Sequence, residues 1–384
     1  SASRGFLAWL ARNATDILTL IAARPEAGLR AWPRGAEVER IRLREMPAAE
    51  LLALARQTLG VATLPPALDE VLVQKVGGNP YFCCELLRAL LDSGRIGVRD
   101  GVCEAGDLAS GDMPATVESA VLGRLDRLAP QGQLCLKAAS VLGQSFRQDA
   151  LSTIYPVPSE RQHIGRHLAS ARDGGLVWLD AAAEISWSFR HAIVRDVTYA
   201  LLTRDQRAPL HAAVAAWYES RFADDLPPLY PLLAHHWDEA GQTEPTLNYL
   251  ELAGDQSLRA GAFQEARRLF GRALQLQSES AIATSAGRRA RWHRGLGMAL
   301  YFLGELGPSR DHLETVASLL DQPLPKALAA TRRRLLGRVL QQTLHRLRPA
   351  AVQGRLAARQ PEIDLVVECY SKLGQIYYLN GEPA

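Results

Sequence analysis

Histidine, cysteine and arginine carry the chemistry that this sequence offers. His163 and His167 stand four residues apart, which would put both imidazoles on one face of a helix, as in a metal pair. No third ligand accompanies them in a metal-binding pattern, so a metal site is not expected. Cys83-Cys84, with no adjacent base, reads as core filling. Arg161, His163, Arg166, His167 and Arg172 gather between Ser159 and Asp173, enough positive charge to approach phosphates. Arg332-Arg333-Arg334 reads as a solvated helix face. The phosphate-cradling signature G-x-x-x-x-G-K-[ST] is absent: none of the four lysines, Lys75, Lys137, Lys326 and Lys372, follows a glycine-rich loop. This chain alone is therefore not expected to hydrolyse ATP.

The composition narrows the class. At 384 residues there is room for two or three domains. The 44 basic residues against 41 acidic ones leave a net charge of +3, too small for attachment to nucleic acid by bulk charge. With 47% apolar residues the chain can build packed cores. The excess of arginine over lysine, beside abundant Ala and Leu, reads as the coding bias of a GC-rich genome. Five cysteines without framework spacing fit a reduced, cytoplasmic setting. No apolar run approaches the roughly 18 residues of a spanning helix, so no membrane is expected as a partner. Ser1 to Trp9 has neither an initiator Met nor a signal-peptide plan, and the chain reads as a piece of a longer one.

The elements that would position these residues follow from the pattern. Ser3 to Asn13 has helical spacing, and Ile17 to Ala23 is an apolar run suited to a strand buried on both faces, ending at Arg24-Pro25. Val38 to Leu43 alternates like an edge strand, and Met46-Pro47 opens a helix. Two strands cannot form a stable sheet alone, so this stretch reads as the end of an α/β domain whose other strands lie upstream or in a partner. Leu64 to Gly94 predicts two helices around the turn Gly77-Gly78-Asn79-Pro80. The second runs from Tyr81 to Asp92 with Phe82, Leu86, Leu87 and Leu90 inward. Residues 95–113 predict a loop or short hairpin. Three or four short helices then lead to Asp173-Gly174-Gly175, followed by strand-like segments at Leu176–Leu179 and Ile185–Phe189 and a helix from His191 to Leu202. That order is the plan of a winged helix.

Beyond about Leu210 the chain reads as helical repeats. Leu250…Gly254…Gly261-Ala262-Phe263…Ala266…Phe270…Ala273 has tetratricopeptide spacing, with small residues where antiparallel helices cross and aromatic residues filling the gaps. The motif returns around Gly297, weakly around Gly337 (Leu336 to Leu340), and around Gly374. Those offsets of 43, 40 and 37 residues exceed the usual period of about 34. Tyr370, Tyr377 and Tyr378 occupy repeat positions and are expected to pack. The chain stops after the first helix of the last repeat, which leaves an apolar face open and reads as a cut end.

In this order the segments resemble the bacterial STAND ATPases, the signal-transduction branch of the AAA+ fold, in members that join an ATPase, a winged helix and tetratricopeptide repeats. Three stretches carry the resemblance. Thr19-Leu20-Ile21-Ala22-Ala23-Arg24-Pro25-Glu26 is similar to the sensor strand. Gly77-Gly78-Asn79-Pro80-Tyr81-Phe82, with Glu85-Leu86-Leu87-Arg88-Ala89-Leu90, is similar to the G-N-P-F lid motif. Phe189-Arg190-His191-Ala192-Ile193-Val194-Arg195-Asp196-Val197-Thr198-Tyr199, with Arg207 and Leu210-His211, is similar to the end of the winged helix.

The resemblance implies a mainly α protein: residues 1–45 the C-terminal remnant of an AAA+ α/β core, 46–112 a helical lid, 113–205 a winged helix and 206–384 a TPR-like α-solenoid. It implies an ATP/ADP site at Arg24, Gly78, Asn79, Pro80 and His191. Pro80 would lie on the adenine, Arg24 near the phosphates, and His191 on the diphosphate of the inactive state. Magnesium would enter only with Walker motifs upstream of Ser1. A protein or inducer would bind the concave face of the solenoid, DNA contact from this segment is not expected, and oligomerisation belongs to a full-length parent. The parents it implies are adenylate/guanylate cyclases or LuxR-type transcriptional regulators; a non-enzymatic winged-helix/TPR scaffold is the alternative.

Overall fold

The computed structural model describes residue 20 and residues 41–106, 108, 115–180, 186–280, 282–322, 337 and 360–380. The described chain is mainly helical and divides into two compact units, one from Val38 to Arg221 and the other from Phe222 onward. None of its described helices is long and apolar enough to cross a membrane.

The first unit begins with three helices, α1 (Ala48–Leu59), α2 (Pro66–Val76) and α3 (Pro80–Asp92), and a hairpin of β1 (Ile96–Arg99) and β2 (Val102–Ala105). Proline at or just before the first helical residue opens each helix where a missing N–H costs nothing. Leu51, Leu68, Leu72, Phe82, Leu86, Leu87 and Leu90 close over one another and over Ile96 and Cys103 of the hairpin. The hairpin turns at Asp100-Gly101, both with positive φ (49° and 76°), as a tight two-residue turn between right-twisted strands requires.

A second core of the same unit holds α4 (Val117–Leu125), α5 (Pro130–Leu142), α6 (Gln148–Ile154), α7 (Ile164–Asp173), α8 (Ala192–Ala200) and α9 (Arg204–Arg221). With them runs an antiparallel sheet of β3 (Ser145–Arg147), β4 (Val177–Asp180) and β5 (Ser186–Phe189), in the order β3-β5-β4. Phe146 pairs with Trp187, and Val177 with Phe189, so the sheet's apolar face joins the helices. The two expected strands are β4 and β5. The third, β3, is three residues long, too short to leave an alternating pattern.

Three expectations need correction. Residues 41–43, the described part of the expected edge strand, have no regular structure, and Ile41 and Leu43 are exposed. Leu20, within the expected buried strand, is 88% exposed. An alternating run does not make a strand unless another strand pairs with it, and the residues of the expected buried strand other than Leu20 lie outside the described ones. The helix expected from Ser159 starts as a 3₁₀ turn, Pro158–His163, and becomes α-helical only at Ile164. His163 and His167 both turn to the Glu160 carboxylate, at 3.4 and 3.2 Å, and no group of metal-binding residues forms among the described ones. The helix expected over 3–13 lies outside the described residues.

The second unit contains α10 (Tyr230–Glu239), α11 (Thr243–Arg259), α12 (Phe263–Glu279), α13 (Ala286–Phe302), α14 (Leu306–Leu319) and α15 (Gln360–Leu379). Helices α11–α12 and α13–α14 form consecutive antiparallel hairpins. Small residues set their spacing. The Phe270 ring lies so close to Gly254 and Gly295 that a Cβ at either would come within 2.7 and 2.4 Å of it, and a Cβ at Gly297 would meet Leu313 at 3.0 Å. Ser309 Oγ donates to the Gly297 carbonyl at 2.8 Å across the second hairpin.

Helix α15 adds Cys369, Leu373 and Ile376 to the core of α13 and α14, and Arg294 holds Glu368 through two hydrogen bonds of 2.7 and 3.0 Å. Tyr377 donates to Glu314 at 2.7 Å and Tyr370 to the Gln322 carbonyl. Tyr378, expected to pack, is 83% exposed instead, because the 3.6-residue turn aims it away from its neighbour. Of the weak repeat around Leu336, only Gly337 is described, and it is helical.

Gly295→Ala is expected to destabilise the second unit by about 1–3 kcal/mol, the usual cost of overpacking. Gly271→Ala, where a Cβ meets nothing within 4 Å on the helix α12, should stabilise by up to about 1 kcal/mol. Urea unfolding of the two variants checks this; equal effects would mean that the Phe270 contact does not set the helix spacing.

Candidate functional site

The turn 77–79 is built by backbone demands. Gly77 and Gly78 both have positive φ (57° and 70°), and a Cβ on Gly78 would lie 2.8 Å from Glu45 Cβ and 2.9 Å from the Met46 carbonyl oxygen. The Gly78 carbonyl accepts from Met46 N at 2.9 Å, pinning the entry to α1 against the entry to α3. Asn79 is the N-cap of α3: its Oδ1 accepts from Tyr81 N (3.0 Å) and Phe82 N (3.1 Å). Pro80 is the first helical residue and its ring is exposed.

Beside this turn lies a buried polar cluster. Helix α3 is apolar on its inner face except for Glu85, which is 1% exposed. Such a carboxylate needs a partner. Arg124 of α4, 4% exposed, forms an ion pair with it, and Arg88, one turn on along α3, reaches it at 3.5 Å. Arg124 Nη1 also donates to the carbonyls of Gly174 (3.5 Å) and Gly175 (3.4 Å), tying in the turn after α7. Burial pushes the Glu85 carboxyl up, while Arg124, Arg88 and Arg190 pull it down. Tyr81 sits over the same pair; burial, then the Glu85 charge, push its phenol up to about 12.

His191, the N-cap of α8, closes the cluster. Its ring lies 4.1 Å from that of Tyr81, tilted by 51°. Burial lowers its pKa, and Arg190, Arg88 and Arg124 lower it further, so at neutral pH it is an uncharged imidazole beside cations. Four positions singled out in the sequence, Gly78, Asn79, Pro80 and His191, are thus gathered at one end of α3, with Tyr81 as the link. Arg24 lies outside the described residues.

Sequence reasoning missed Glu85, Arg88, Arg124 and Arg190 as members of this cluster. Glu85 carried a signal: it falls three residues after Phe82 on the apolar face, where a charge is out of place. Its partner, 39 residues further on, carried none.

Residues 47–104, which span α1 to α3 and nearly all of the hairpin, match the model of a family described as a domain of unknown function, DUF8739. The chain is 24% identical over 273 residues to an uncharacterized protein of Rhizobium meliloti (strain 1021), an alignment that covers 66% of this chain. The chain spans about a quarter (24%) of that relative's length. Among solved structures it is similar to a STAND (signal transduction ATPase with numerous domains) protein with a tetratricopeptide repeat sensor from Pyrococcus horikoshii. The TM-score is 0.40 at 13% identity, over 91% of this chain and 53% of that one.

Glu85→Gln or Arg124→Met should each destabilise the first unit by about 3–5 kcal/mol, because each leaves its partner buried without compensation. The double variant Glu85→Met/Arg124→Met should recover most of that loss, since an apolar pair can replace a buried ionic one. Denaturant unfolding followed by the fluorescence of the first unit's tryptophans measures it. Single variants within about 0.5 kcal/mol of the parent would show that the pair is not desolvated in solution.

Proposed function

We propose that this chain is the nucleotide-sensing and partner-binding part of a STAND-type signal-transduction ATPase. In this reading residues 1–45 close an AAA+ core, 46–112 form its lid, 113–205 a winged helix and 206–384 a TPR-like solenoid. The observation that carries it is the meeting of the Asn79–Tyr81 turn with His191 inside a cluster of arginines. The exposed Pro80 offers a flat apolar face to an adenine ring. Arg88, Arg190 and His191 are cations or donors of the kind that hold diphosphate oxygens.

The chain's residues fit the anion and not its metal. Glu85, the carboxylate nearest the cluster, is engaged by Arg124, so magnesium would need ligands from elsewhere. What the residues here do is bind and report. A diphosphate beside Arg88, Arg190 and His191 would bridge α3 to the start of α8, and its loss would release them. Nucleotide would thereby shift an equilibrium between closed and open forms in proportion to its differential affinity.

The helical repeats supply a surface for a protein or an inducer. DNA contact stays outside the reading: on the expected recognition segment Arg172 pairs with Asp173, and both histidines turn to Glu160. The output of the parent, a nucleotide cyclase or a LuxR-type regulator, belongs to the same proposal, and a non-enzymatic scaffold is the reading it opposes.

In a longer protein that carries the phosphate loop, His191→Ala and Pro80→Ala should each speed release of a fluorescent ADP analogue by about tenfold, the loss of roughly one charged hydrogen bond or one apolar contact. Stopped-flow measurement decides it. Unchanged release in both variants would favour the scaffold.

A further inference from the structure

Away from that cluster, α5, α6 and α9 leave a cleft of about 550 Å³ in the first unit. Its walls are apolar: Leu134 from α5, Ile154 from α6, Leu202 before α9 and Leu210 within it. Pro130, Pro156 and Pro209 also line it, which fixes the backbone and makes the site largely preformed. The volume lies within the range of about 300–1,000 Å³ typical of small-molecule sites.

The polar groups of the lining are unevenly satisfied. Tyr155 Oη donates to the Gln131 carbonyl at 3.0 Å, and Gln133 Nε2 donates to Leu128 O at 3.0 Å, so neither seeks a ligand. Among the described residues Arg161 spends only its Nε, on the Tyr155 carbonyl at 3.2 Å. Lys137 is half-buried on α5, and its ammonium has neither an ion-pair nor a hydrogen-bond partner among the described residues. Asp205, the one carboxylate of the lining among the described residues, stands exposed in the first turn of α9 and is not paired with either cation. The lining thus holds two cations against one anion, and a half-buried ammonium without a counter-charge invites one.

We propose that this cleft binds a small apolar organic acid, with its carboxylate at Lys137 and Arg161 and its hydrocarbon body against Leu134, Ile154, Leu202 and Leu210. The apolar walls supply the affinity, and the two cations choose an acid over an alcohol or an amine of the same length. This site is independent of the nucleotide reading and stands or falls separately.

Decanoate, below its micellar concentration, is the probe, with decylamine as its cationic counterpart, in calorimetric titration of the whole chain. The expected result is saturable binding of one decanoate per chain and no saturable binding of decylamine. Lys137→Ala, a substitution at a half-exposed position, should weaken decanoate by about tenfold or more, the loss of a charged hydrogen bond. Ala213→Trp, which fills the cleft, should abolish binding with an unchanged circular dichroism spectrum. If Ala213→Trp fails to fold, Lys137→Ala alone decides. Absence of saturation by decanoate, equal binding of decylamine, an unchanged affinity in Lys137→Ala, or capture of an acidic amphipathic peptide in place of decanoate would each overturn the proposal.

Discussion

A carboxylate inside an apolar helix face is costly unless a cation meets it there, and the ion pair of Glu85 with Arg124 is the constraint on which the front of the first unit depends. Because Glu85 is on α3 and Arg124 on α4, neither helix can shift without exposing or orphaning a charge. Because Arg124 also takes the Gly174 and Gly175 carbonyls, the turn leading into β4 is held at the same point. Arg88, Arg190, Tyr81 and His191 assemble around that pair; burial first, then the Glu85 charge, raises the Tyr81 phenol, and burial first, then the arginines, lowers the His191 imidazole. Arg88, Arg124 and Arg190 outnumber Glu85 there, which leaves the cluster with a cationic excess.

The second unit is held by shape. Phe270 fills the space left where Gly254 and Gly295 lack side chains, and Leu313 does the same at Gly297, so helices approach closely at fixed heights. Salt bridges then join neighbouring helices. Glu251 of α11 takes Arg288, Arg291 and the Trp292 indole of α13, and Arg294 takes Glu368 of α15. A unit made of such neighbour contacts is extensible by addition of further helix pairs.

Much of this was legible in the sequence, and for physical reasons. Helix α3 announced itself through the turn ending in Pro80 and the inward Phe82, Leu86, Leu87 and Leu90, all local signals. Gly254 and Gly297 marked the repeat crossings because only small residues fit there, and Phe270 marked the gap that a ring fills. What could not be read was pairing over distance. The strand β3 is too short to show a period, the edge strand expected at Val38–Leu43 has no regular structure over its described residues, and the Arg124 partner of Glu85 is separated from it by a hairpin. The cleft at Lys137 was equally silent, since a lone lysine on a helix reads as a surface residue until its surroundings are seen.

The cluster around the buried pair is the centre of this account, and His191 reports on it most directly. Titration of the His191 ring by NMR measures whether the imidazole lies beside burial and three arginines. The account predicts a pKa below the ordinary value of about 6.5. A value at or above it would mean that His191 stands free in solvent or beside a carboxylate, and would contradict the assembly of Tyr81, Arg88, Arg124 and Arg190 around it.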